Sequence, residues 1–177
     1  GALRLLGSEK SYSVLKNQTH YTLKELREIA PAPHSMLFHP SNEISEHFEG
    51  ANEIIKWATN SAWPITFEEY NEEVSKQLSD GLKYRLETEE EKWKTWLSNF
   101  RDTARSLRDY PGAIFPCLSD KIPWSAVKST LLDEIFPNLT IKVLNSDVRA
   151  SSRPSFTPRQ ESSNNLYSPP EDMLTIF

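Results

Sequence analysis

The sequence predicts a mostly α-helical protein: an antiparallel helical bundle of four or five helices, with a short β-strand and a disordered C-terminal tail. Three observations carry this expectation. Threonine stands three residues ahead of glutamate at Thr22/Glu25, Thr66/Glu69 and Thr88/Glu91. That is the spacing of a capping box, in which a hydroxyl and a carboxylate close the open backbone N–H groups at a helix start. Apolar residues then recur every three or four positions from Ile44 to Phe136, as they do on one buried helix face. After residue 144, serine, asparagine, proline and arginine displace them, a composition that buries too little surface to offset the entropy of ordering. The expected organisation is a flexible arm over residues 1–20, a helical interaction domain over 21–144 and a tail over 145–177.

The first helix starts at Thr22, with Tyr21 placed to staple onto Leu26 and Ile29 one turn on; Pro31 and Pro33 stop it. Pro40 and Ser41 restart a helix whose stripe is Ile44, Phe48, Ala51, Ile54, Ile55 and Ala58, weakened at Gly50. Thr66 caps a third helix along Phe67, Tyr70, Val74, Leu78 and Leu82, with an interruption or a kink expected at Ser79-Asp80-Gly81. Thr88 caps a fourth, carrying Trp93, Trp96, Leu97, Phe100, Ala104 and Leu107. A single rod through both would reach about 66 Å, longer than a compact domain of this size covers, so a break is expected near residues 80–88. Pro123 opens a fifth helix in the N1 position, with Trp124, Val127, Leu131, Leu132, Ile135 and Phe136 buried and Pro137 ending it. Leu139 to Leu144 has the alternation and β-branching of a short strand. Its partner is expected to be the N-terminal arm or the edge of another protein.

Composition narrows the function classes. A formal charge of −5 argues against a general nucleic-acid binder. One cysteine, Cys117, can form neither an internal disulfide nor a cysteine-based zinc site, which points to a reducing compartment, nucleus or cytoplasm. Neither a signal peptide nor a membrane span is expected, and the absence of an initiator methionine suggests a segment of something longer. The sequons at Asn17 and Asn138 are taken as chance occurrences. The five glycines form no phosphate-cradling cluster. His34, His39 and His47 with Glu43 and Glu46 lack metal-site spacing, and Cys117 has no nearby base. No catalytic residue, metal or cofactor is expected.

Some constellations point to binding. Tyr21-Thr-Leu-Lys-Glu-Leu26 resembles the Y-x-x-x-x-L element with which translation repressors and scaffold factors grip the cap-binding initiation factor. The resemblance covers seven residues and departs at Arg27, where the pattern has an apolar residue; it would make Tyr21 and Leu26 partner-binding. Charge is segregated, with thirteen acidic residues against four basic between Ser41 and Glu91. Lys94, Arg101, Arg105 and Arg108 share a helix face and are phosphate-contact candidates. Five tryptophans exceed what one core layer needs, so Trp93 and Trp96 are candidates to face a partner. The tail carries proline-directed phosphorylation candidates at Thr157 and Ser168 and ends in Met173, Leu174, Ile176 and Phe177, suited to docking as a helix or strand. The leading expectation is a non-enzymatic interaction or scaffold module whose partner is another protein in a multi-subunit assembly. Nucleic acid is the second possibility.

Overall fold

The computed structural model describes residues 2, 5, 6, 10–12, 15, 21–39, 42–59, 72–108, 122–144, 155–160, 165–170 and 173–176. Five α-helices dominate them: α1 (Leu23–Ile29), α2 (Ile44–Thr59), α3 (Glu72–Thr88), α4 (Glu90–Arg108) and α5 (Trp124–Thr130). Short strands complete the set: β1 (His34–Met36), β2 (Thr140–Ile141), β3 (Arg159–Gln160), β4 (Tyr167–Ser168) and β5 (Leu174–Ile176).

The chemistry predicted for α1 is present. The Thr22 hydroxyl accepts from the Glu25 amide at 3.3 Å, and the Glu25 carboxylate accepts from the Thr22 amide at 2.7 Å. The Thr22 hydroxyl also donates to the carboxylate at 2.7 Å, and these bonds hold the Glu25 carboxyl below the usual range. Thr66 and Glu69 lie outside the described residues. At the third site the expectation fails: Thr88 is the last residue of α3, and its hydroxyl donates back to the Tyr84 carbonyl at 2.9 Å. A threonine four residues beyond a carbonyl in a continuing helix satisfies its hydroxyl there, so it caps nothing.

Helices α2 and α3 pack against each other, and α3 also meets the turn Phe136–Asn138. Ile55 and Leu86 are wholly buried, and Ala58, Leu78 and Leu82 join them in the core. Full burial of a side chain such as Ile55 or Leu86 contributes about 1.5–3 kcal/mol. Gly81 explains how closely the two helices approach. A Cβ there would collide with the Ala58 carbonyl oxygen and sit 2.6 Å from the Thr59 Cα. The expected interruption at residues 79–81 is therefore corrected, because α3 runs through it and the glycine serves the crossing. The break expected near residues 80–88 comes at their far end, at Glu89 alone. One residue is shorter than the two to five that turn a helix back on its predecessor, so α3 and α4 do not form a tight hairpin.

Pro123 stands at the N-cap position of α5, one residue ahead of the expected N1. Helical geometry continues past Thr130 as a π turn over Leu131–Ile135 and a 3-10 turn over Phe136–Asn138 that contains Pro137. Proline at the start of that turn loses no needed donor.

The strand expected within Leu139 to Leu144 forms as β2, but its partner is the C-terminal segment. Strands β1, β5 and β2 make a parallel sheet with β5 in the centre; Leu174 is opposite His34, and Ile176 is opposite both Met36 and Ile141. Residues 34–36 thus form an outer strand. Within the tail, β3 and β4 pair antiparallel, and the Tyr21 amide donates to the Tyr167 carbonyl at 3.0 Å while the Tyr167 amide donates to the Tyr21 carbonyl at 2.7 Å. Asn165 adopts φ 53° in the connection ahead of β4, a left-handed conformation that asparagine tolerates. The expectation of a tail without structure is corrected at these described residues.

Candidate functional site

Apolar side chains left at the surface gather on α2 and the segment after β1. Ala51, Ile55 and Ala58 point α2 inward, which turns Trp57 outward, 48% exposed. Beyond β1, Leu37 and Phe38 are 74% and 44% exposed. Phe38 and Ile54 line two adjoining concavities. One lies past the ends of β1 and β2 between Leu37, Ala51, Val143 and Leu144. The other is more open and runs along α2 between Glu46, Glu49, Gly50, Glu53 and Trp57. Together they make one groove with an apolar floor, an acidic edge along α2 and Lys142 at the enclosed end. The His39 and His47 rings meet edge to face at 5.0 Å where the enclosed half begins.

The back of Trp57 is fixed to α3. The Arg85 guanidinium stacks 4.6 Å from its ring centroid, donates to its backbone carbonyl, and pairs with Glu89 at 3.1 Å. The indole is thus held as a rigid wall of the groove. Trp57 is one of the five tryptophans that exceed a core layer's need, and its place off the stripe formed by Ala51, Ile55 and Ala58 marks it as the outward one, whereas no local pattern marks Phe38.

The predicted partner-binding residues divide. Tyr21 and Leu26 are 4% and 1% exposed, and the Tyr21 hydroxyl donates to the Leu15 carbonyl at 3.4 Å. Burial pushes the Tyr21 phenol up. Both side chains point into the chain's own core. Trp93 packs on Phe136 with ring centroids 6.0 Å apart, whereas Trp96, 6.3 Å from Trp93, is 59% exposed beside Phe100 at 60%. Met173 and Leu174 are buried in the chain's own core. Ile176 contributes its backbone to the sheet, and Phe177 lies outside the described residues.

The phosphate-contact candidates are largely engaged. Lys94 pairs with Glu90 at 3.0 Å and Glu91 at 2.7 Å, bonds that raise its pKa. Arg105 pairs with Asp102 at 2.6 Å, and Arg101 donates to the Ile122 carbonyl at 2.6 Å. Nothing is described of the Arg108 side chain. Glu90 is the hub between α4 and α5: it accepts from Lys128 at 2.6 Å and from the Trp124 indole at 2.8 Å, and with Lys94 these hold its carboxyl down at about 2.

Thr157 is exposed, and Ser168 is half-buried in β4 opposite Arg159. Cys117, Trp63 and Asn17 lie outside the described residues, and the Asn138 amide donates to the Glu134 carbonyl at 2.5 Å. Among the described residues no three His, Cys, Asp or Glu side chains are placed to hold a metal ion, and no helix is long and apolar enough to cross a membrane. No family model, curated protein or solved structure matches this chain.

Proposed function

We propose that this chain is a non-enzymatic docking module that holds another protein within an intracellular regulatory assembly. One observation carries the reading: Leu37, Phe38 and Trp57 remain exposed around a shared floor at Ile54, in one groove and not scattered singly. Contiguous apolar surface of this kind is uncommon on a monomer without an interface. A rigid indole on the wall lowers the entropy cost of binding. The body that carries the groove is read as a small helical bundle with α3 at its centre, between α2 and the Phe136–Asn138 turn. Trp96 and Phe100 on α4 offer a second, narrower apolar stripe.

The alternative of phosphate contact is less well supported, since Lys94, Arg101 and Arg105 already serve internal partners. Gripping the cap-binding factor through Tyr21 and Leu26 would require both side chains to leave the core. A photo-crosslinking residue placed at position 57 in cells tests the docking reading against one at Lys24, an exposed position on α1. Position 57 is expected to give discrete protein adducts that position 24 does not. Identical adduct patterns at the two positions would remove the reading, and adducts that vanish with nuclease treatment would favour the nucleic-acid alternative.

A further inference from the structure

We infer that the groove takes a basic amphipathic helix of a partner protein, laid along α2 with its apolar face on Phe38, Ile54 and Trp57 and its cations against Glu46, Glu49 and Glu53. The inference rests on the docking reading above and adds the chemistry of the occupant. Along α2 the edge is of one sign, Lys142 lying at the other, enclosed end: Glu46, Glu49 and Glu53 follow at spacings of three and four and so line up on one side of the helix. Glu46 and Glu49 form no ion pair with other described residues, and Glu53 has only the exposed Lys56 at 2.8 Å. Like charges at those spacings destabilise a helix slightly. Among the described residues only Lys56, on Glu53, offsets that repulsion, and a cationic ligand would relieve the rest. The dimensions suit a helix. Glu46 to Trp57 spans about 16 Å of α2, or three turns, which matches apolar anchors at i, i+4 and i+7 of a partner helix lying in a groove. An acidic helix with the same apolar face would meet three carboxylates, and a neutral one would gain nothing from them.

The test uses the full chain and three fluorescein-labelled synthetic peptides of about 14 residues that share one leucine stripe. Their polar faces carry lysine and arginine, glutamine, or glutamate. Fluorescence anisotropy is expected to show the basic peptide binding about tenfold more tightly than the glutamine peptide, with the glutamate peptide weakest. Raising salt from about 50 to about 300 mM should narrow that preference, because these exposed charges are screened. In the Glu46→Lys/Glu49→Lys double variant the preference should reverse toward the glutamate peptide. These positions are exposed, so folding is checked only by circular dichroism. Trp57→Ala should weaken the basic and glutamine peptides alike.

Equal binding of all three peptides, or a preference unchanged by the double charge reversal, overturns the inference. If the glutamine peptide binds as well as the basic one and is lost with Trp57→Ala, the acidic edge is irrelevant while the docking reading stands. Failure of every peptide overturns the inference, and the crosslinking result then decides the docking reading separately. Sedimentation that shows dimers abolished by Glu46→Lys/Glu49→Lys would assign the groove to a second copy and likewise overturn it.

Discussion

At the scale of single residues, Gly81 and Glu90 have effects that the sequence alone would predict with the wrong sign or miss. Propensity says that alanine in place of a mid-helix glycine gains about 1 kcal/mol. At Gly81 the added Cβ meets backbone atoms of Ala58 and Thr59, which cannot swing aside as a flexible side chain would. Gly81→Ala is therefore expected to destabilise by about 3 kcal/mol, read from the urea midpoint at unchanged slope; a stabilised variant would mean that the helices do not cross here. Glu90 is a question of pH. Its carboxyl titrates at about 2, below the ordinary 4.5, because Lys128, Lys94 and the Trp124 indole favour the charged form. A depressed carboxylate contributes stability that is fully present above its unfolded pKa and is lost as pH falls from about 4.5 through about 2. Glu90→Gln should accordingly melt below the parent at pH 7 and converge with it near pH 2. A gap that persists at pH 2 would show that the glutamine lost packing and not charge.

At the scale of elements, what was legible depended on how local the determining chemistry is. Thr22, Glu25 and Leu26 lie within one turn, and α1 forms as its capping box predicts. The stripe through Ala51, Ile55 and Ala58 likewise gave α2 its inward face. Thr88 carries the same Thr-x-x-Glu spacing and caps nothing, because its hydroxyl was taken by Tyr84 in a helix already under way. A capping motif is informative only where the preceding residues are not helical, and Tyr84 to Glu87 are. The two threonines should separate in experiment. Thr22→Ala is expected to cost about 1 kcal/mol by losing the cap, whereas Thr88→Ala should stay within about 0.5 kcal/mol, as exposed substitutions away from such features do. Equal losses at both sites, measured by chemical denaturation, would contradict the element boundaries. The docking groove was only half visible for a related reason. Trp57 could be recognised by its offset from the buried stripe, but Phe38 becomes part of the same wall only after β1 is placed in the sheet.

At the scale of the whole molecule, the sheet joins parts of the chain that no local pattern connects. Strand β5 lies between β1 and β2, more than a hundred residues after one of them, and pairs with both. Neither a three-residue strand nor a serine- and proline-rich approach to it identifies that slot; only the apolar cluster at Met173 and Leu174 indicates that something will cover it. Both side chains are buried, at 7% and 4% exposed, so the segment docks into the chain's own core and not, as its sequence suggests, into a partner's groove. The Thr140 hydroxyl donates to the Leu174 carbonyl at 3.2 Å, and the His34 amide donates to the Met173 carbonyl at 2.8 Å, which tie β5 to both neighbours. Long-range pairing of this kind closes a large loop, whose entropy cost must be offset by burial. Truncating Leu174 to alanine should therefore destabilise the whole domain by about 3 kcal/mol. Deleting residues 173–177 should also strip protection from the amides of β1 and β2 in hydrogen exchange while leaving those in the middle of α3 slow. If instead the deletion leaves both the melting temperature and the exchange of residues 34–36 and 140–141 unchanged, the segment is no part of the sheet. The groove beyond the ends of those strands would then need another explanation for its shape.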